Sequence, residues 1–222
     1  MRYLVVNADD FGYSFGVNRG IIEAHTNGIV TSTSVMVDAI GAEEAAELVA
    51  YPDLSVGLHF VALGIKDLEG ALKRQLERFE HIVGRIPDHL DTHKQHTDAT
   101  PELKRVLQAY TEKHKRPVRR FGHAKFIEDF FGLGIDGSGP LKAENVSVGA
   151  LKGAIDKATD EFNEIMCHAG YSDDYLQEHS SYNDIREIEL ETLMRSEIRD
   201  YIAAQEDLQL CNWNFVASMV FA

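Results

Sequence analysis

RYLVVNADDFGYSFGVNRG, residues Arg2 to Gly20, opens as an apolar strand run and closes on the start of a helix. Tyr3 to Val6 are aromatic, aliphatic or β-branched, as in a strand covered by helices on its faces. Asn7, Asp9 and Asp10 fall where that strand should end. In an α/β domain this carboxyl-terminal edge is where ligands and chemistry gather. Side chains alternate along a strand, but on a turn leaving it two adjacent carboxylates can face one cavity, one holding a metal and the other handling protons. The same aspartates would equally serve as helix caps or Asx turns.

The 222 residues fit one large α/β domain, residues 1–222, and 44% hydrophobic content supports a sizeable core. Acids outnumber Lys and Arg 36 to 22, a formal charge of −14 that repels phosphate backbones and argues against nucleic acid as a partner. The amino terminus shows no signal segment and no apolar run is long enough to span a bilayer, so a cytoplasmic protein without membrane contact is expected. Cys167 and Cys211 form neither a CxxC pair nor a disulfide framework.

Outward from the opening motif, Val17 to His25 reads as a helix stopped by a left-handed cap at Asn27-Gly28, and Ile29 to Val37 as a strand threaded with small hydroxyls. Those hydroxyls line a pocket or satisfy local backbone. Helix patterns at 41–49, 68–83, 100–115, 148–159 and 184–204 alternate with strands at 55–60, 118–121, 162–167 and 208–216, the last carrying Trp213. Between them, His89 to His93 is a short strand entering a polar loop. The segment 126–140 reads as a loop, a candidate aromatic wall for a sugar ring, and matches no phosphate or dinucleotide fingerprint. The apolar tail after Trp213 closes the barrel or makes a homodimer contact.

His59, His93, His96 and His168 lie at or beside the ends of apolar runs. Asp10, His59 and His93 offer three N/O ligands with room for water, the arrangement of a catalytic metal site. A divalent ion there could polarise a carbonyl and acidify water, Asp9 could accept the proton, and His168 could protonate a departing amine. These residues suit amide hydrolysis, but also accommodate an ester, a phosphate or an isomerase substrate. Arg119 could neutralise substrate oxygens or a site carboxylate, and is equally compatible with a surface ion pair. His96 and Tyr171 complete the candidate substrate contacts.

Five stretches taken together, VNADDFGYSFGVNRGI at 6–21, NGIVTSTSVMV at 27–37, VGLHF at 56–60, HLDTH at 89–93 and MCHAGY at 166–171, resemble the YdjC-like carbohydrate deacetylases. The resemblance implies a distorted (β/α) barrel of about seven strands, deacetylase-like, that removes acetyl from an N-acetylated amino sugar or short chitooligosaccharide. It implies metal ligands at Asp10, His59 and His93, a base at Asp9 and an acid at His168, with one divalent ion, magnesium or zinc. A metal-dependent sugar isomerase or epimerase, and a catalytically inactive carbohydrate-binding protein, are the alternatives to a hydrolase.

Overall fold

Residues 4–11 are buried on both faces of the first strand, β1 (Arg2–Phe11), because apolar residues pack against each face. The computed structural model describes residues 1–94, 100–133 and 139–222. After β1 come α1 (Phe15–Asn27), β2 (Ser32–Val35), a 3-10 segment at Ala42–Ala50, β3 (Ser55–Phe60), α2 (Leu68–Val83), β4 (Leu90–Thr92) and α3 (Pro101–His114). The second half runs β5 (Lys125–Ile127), α4 (Val148–Asp156), β6 (Phe162–Cys167), α5 (Asp174–His179), α6 (Ile185–Met194), α7 (Ser196–Ala203), β7 (Leu208–Leu210) and α8 (Trp213–Val220).

The strands form a parallel sheet in the order β4-β3-β2-β1-β6-β5. β7 pairs with the first residues of β1, at Arg2–Leu4, whereas β2 pairs with its later residues from Asn7 onward. The result is a curled, open, seven-stranded half-barrel flanked by helices, the distorted (β/α) barrel expected from the sequence. No helix among the described residues is long and apolar enough to cross a membrane.

Two-residue alternation sorts β1. Leu4, Val6 and Ala8 join the main apolar core, while Val5 packs with Trp213 and Val216 of α8 in a separate small cluster. Asn7 and Asp9 share the Val5 face. His59 shares its face of β3 with Ser55 and Gly57, and Leu58 and Phe60 go to the core. An ideal Cβ on Gly57 would lie 2.4 Å from the ring of His89, so only glycine leaves room for that buried imidazole. The hydroxyls in and just before the second strand divide: Thr31 Oγ1 accepts from the Val6 N–H at 3.1 Å and Thr33 Oγ1 donates to the Ala8 carbonyl at 2.7 Å, whereas Ser34 Oγ lies 3.2 Å from His59 Nδ1.

Helix starts follow local chemistry. Ser14, Asp67 and Thr100 each accept a backbone N–H in the first turn of α1, α2 and α3 respectively. Gly84 closes α2 at φ +79°, in the left-handed region, but Gly28 after α1 does not adopt it, with φ −125°. The strand expected at 118–121 is a single bridge, Leu90 to Val118, because the chain turns through Arg120 at φ +65° and Gly122 at φ +79°. The expected last strand stops at Leu210. Asn212 caps α8 by accepting from the Phe215 N–H at 3.0 Å, so Trp213 enters the core from a helix. The long helix expected at 184–204 breaks at Arg195, where ψ is 128°.

Candidate metal and catalytic site

Asp9 and Asp10 reach one cavity without the strand ending between them. β1 continues to Phe11, but its register with β2 shifts between Ala8 and Phe11, and Asp10 takes φ +72°. Alternation alone would turn Asp10 towards the helices. The left-handed residue brings it round beside Asp9, at a cost of about 1–2 kcal/mol that an aspartate bears better than most side chains.

Pairing of β3 with β4 sets His59 directly beside Asp91, and the His93 N–H bonds the Phe60 carbonyl at 3.0 Å. His59 Nε2 and His93 Nδ1 each lie 3.1 Å from Asp10 Oδ1 and 3.2 Å from one another. The opposite nitrogen of His59 is tied to Asp91 Oδ1 at 2.6 Å, which fixes the ring and aims Nε2 at the focus. Burial opposes a charge on His59, but Asp91 and Asp10 outweigh it and lift its pKa to about 10. Two imidazole nitrogens and one carboxylate oxygen converging this closely are a donor set that fits a divalent ion, magnesium or zinc.

Asp9 faces an arginine. Arg119 donates Nη1 to Asp9 Oδ2 and Nη2 to Asp9 Oδ1, both at 2.7 Å, and its Nε donates to Glu164 Oε1 at 2.9 Å. Nη2 also lies 3.1 Å from Asp91 Oδ2. One guanidinium thus binds Asp9 and the carboxylate that orients His59 in a single buried network. Burial pushes Glu164 up to about 7 against the pull of Arg119.

His168 follows β6 at the start of a turn whose glycine is in close contact with α1: a Cβ on Gly20 would lie 2.6 Å from Gly170 Cα. Its backbone N–H donates to Glu189 Oε2 at 2.6 Å, and the Tyr182 hydroxyl donates to the other Glu189 oxygen. The rings of Phe131 and Tyr182 stand 5.1 and 5.2 Å from the imidazole. Burial drives its pKa down to about 4, so the ring rests neutral at pH 7.

Asp9, Asp10, His59, His93, Arg119 and His168 all line one cavity of about 470 Å³. Tyr13, Phe126, Phe131 and Leu133 give it apolar walls, and Lys94 and Arg120 place positive charge on its lining. This size and mix suit a small organic ligand. Of the three expected substrate contacts, Arg119 reaches the cavity with its donors already engaged by carboxylates. Tyr171 bonds Glu23 at 2.6 Å beneath Arg19 and lies off the lining, and His96 lies outside the described residues. Asp91, Glu164, Arg186 and Glu189 are additions from the structure. Asp91 was detectable, because its place two residues from both His89 and His93 puts it on their face of a strand.

Comparison with known proteins agrees with this architecture. A carbohydrate deacetylase of Geobacillus stearothermophilus is 35% identical, with 86% of this chain and 89% of that protein covered. A chitooligosaccharide deacetylase of Serratia marcescens is 30% identical, covering 91% and 94%. The fold matches the crystal structure of a candidate cellobiose-phosphate cleavage protein of Enterococcus faecalis at a TM-score of 0.79, with 24% identity over 97% of this chain and 98% of that one. The model of the YdjC-like protein family matches residues 3–66 and 61–204, nearly the whole barrel with the opening aspartates, both histidine strands and the late glycine turn, and the chain belongs to that family.

Proposed function

We propose that this chain, acting as one unit over residues 1–222, is a metal-dependent hydrolase that removes the acetyl group from an N-acetylated amino sugar or short chitooligosaccharide. The observation that carries the reading is the focus of Asp10 Oδ1, His59 Nε2 and His93 Nδ1 on the same cavity as Asp9 and His168. The deacetylase activities named for the relatives above support the substrate class.

In this reading Asp10, His59 and His93 hold the ion. When bound, it supplies Lewis-acid polarisation of the acyl oxygen and acidifies water. Asp9, pinned through both oxygens by Arg119, accepts the proton as water attacks the amide carbon. His168 begins neutral. As negative charge develops on the acyl oxygen, the proton affinity of His168 rises; the ring takes up a proton from solvent and passes it to the nitrogen as the C–N bond breaks, returning to neutral, while the proton held by Asp9 goes back to solvent. Phe131 and Tyr182, stacked with centroids 5.0 Å apart, present apolar rings against which a sugar face packs.

The test is acetate release from N-acetylglucosamine mono-, di- and trisaccharides by chelated protein resupplied with magnesium, zinc, manganese or cobalt, beside His93→Ala. Metal-dependent release that is lost in the variant supports the reading. Folded, metal-loaded protein that releases no acetate from any of them overturns the substrate assignment, and sugar isomerisation in its place would indicate an isomerase.

A further inference from the structure

Asp10 is held from two sides. Its Oδ1 faces the two histidine nitrogens, while its Oδ2 accepts from Arg186 Nη2 at 2.6 Å. Arg186 is 3% exposed and stands in the first turn of α6, with Nε donating to the Tyr182 carbonyl at 2.9 Å. A cation at a helix amino terminus opposes the helix dipole, so α6 itself gains nothing from that charge. The remaining nitrogen, Nη1, is buried with no hydrogen-bond partner among the described residues. Burying a guanidinium under these terms is costly, and the ion pair with Asp10 is what offsets it.

We propose that Arg186 is a positioning residue that makes Asp10 a one-oxygen ligand, an inference that rests on Asp10, His59 and His93 being the metal ligands. A carboxylate can bind a cation through one oxygen or both. A short charge-assisted hydrogen bond to Oδ2 competes for the second oxygen and leaves that coordination position for water and substrate. The fixed positive charge also weakens the hold on the cation. Arg186 therefore gives up metal affinity to keep the site open. A residue serving only the fold would act in the opposite sense, since its loss loosens the site and weakens binding.

The experiment uses the full chain, stripped by chelator and titrated with cobalt(II), in wild type, Arg186→Met, Arg186→Lys and His93→Ala. Arg186→Met is expected to bind cobalt about tenfold more tightly in chelator competition, because a buried positive charge has gone. Its visible absorption per bound cobalt is expected to fall about twofold as the freed oxygen raises the coordination number. Arg186→Lys, which keeps the charge and a donor, stays near wild type. Equal or weaker binding by Arg186→Met, with a wild-type spectrum, overturns the proposal. Should that variant lose its circular dichroism, Arg186→Gln carries the same two readouts. Equal cobalt binding by wild type and His93→Ala would refute the ligand set itself. A site that His93→Ala abolishes and Arg186→Met leaves unchanged would refute only the role of Arg186.

Discussion

Arg119 grips Asp9 through two parallel hydrogen bonds of 2.7 Å, and the same guanidinium reaches Asp91 and Glu164. Its removal takes the cationic partner from Asp9 and Glu164 and leaves Asp91 with its hydrogen bonds to His59 and Asn7. Arg119→Met is expected to cost about 3–5 kcal/mol of stability, read from urea unfolding of the metal-free protein at pH 7. Arg119→Lys keeps the charge but cannot reproduce the fork, so it should fold and turn over more slowly. A loss below about 1 kcal/mol in Arg119→Met would show that the network is not what holds these groups.

Asp91 fixes the ring of His59 through its Nδ1 at 2.6 Å. Asp91→Asn should lower divalent-metal affinity about 10–100-fold, measured by competition with a chromogenic chelator. Unchanged affinity would mean that the ring is held by packing alone.

His89 is fully buried between Gly57 and the indole of Trp213, whose ring centroid is 5.4 Å away, and burial lowers its pKa to about 4. A histidine with a lower pKa folded than unfolded contributes stability above about pH 6.5 that is lost as pH falls towards 4. Glu164 and Glu189, both raised to about 7, act in the opposite sense, so the contribution of His89 has to be read as a difference. Between pH 6.5 and 4, wild type should lose up to about 3 kcal/mol more stability than His89→Leu. Parallel curves for the two proteins would contradict the buried neutral state.

Gly57→Ala places a methyl group against that imidazole and should destabilise by about 1–3 kcal/mol. In combination with His89→Ala the penalty should shrink, a coupling visible in a double-mutant cycle. Additive losses would locate the strain elsewhere.

Much of the site is legible in the sequence because parallel strands end on one edge. His59 and His93 could be placed there from local apolar runs, and their meeting with Asp10 follows from the sheet. The opening motif also pointed to the two aspartates that line the cavity, but through the wrong backbone: no turn intervenes between them, and one left-handed residue brings them together. The partners behind the ligands are harder to see. Arg186 meets Asp10 across 176 positions of chain, and on its own helix it looks like one charge among many. Glu164 joins Arg119 from β6, 45 positions away, and nothing local marks either as a partner. Trp213 misled for another reason, since the short, largely apolar segment 208–216 fits a strand or a buried helix alike. Asn212, a helix cap just before it, was the signal that distinguishes them.

The most direct test of the account is a titration of chelated protein with zinc or magnesium, following acetate released from an N-acetylated sugar against ions bound per chain. Release should rise in proportion to bound metal, level off at one ion per chain, and be absent from Asp10→Ala at any metal concentration at which it stays folded. Acetate release by metal-free protein, or full activity in Asp10→Ala, would contradict it.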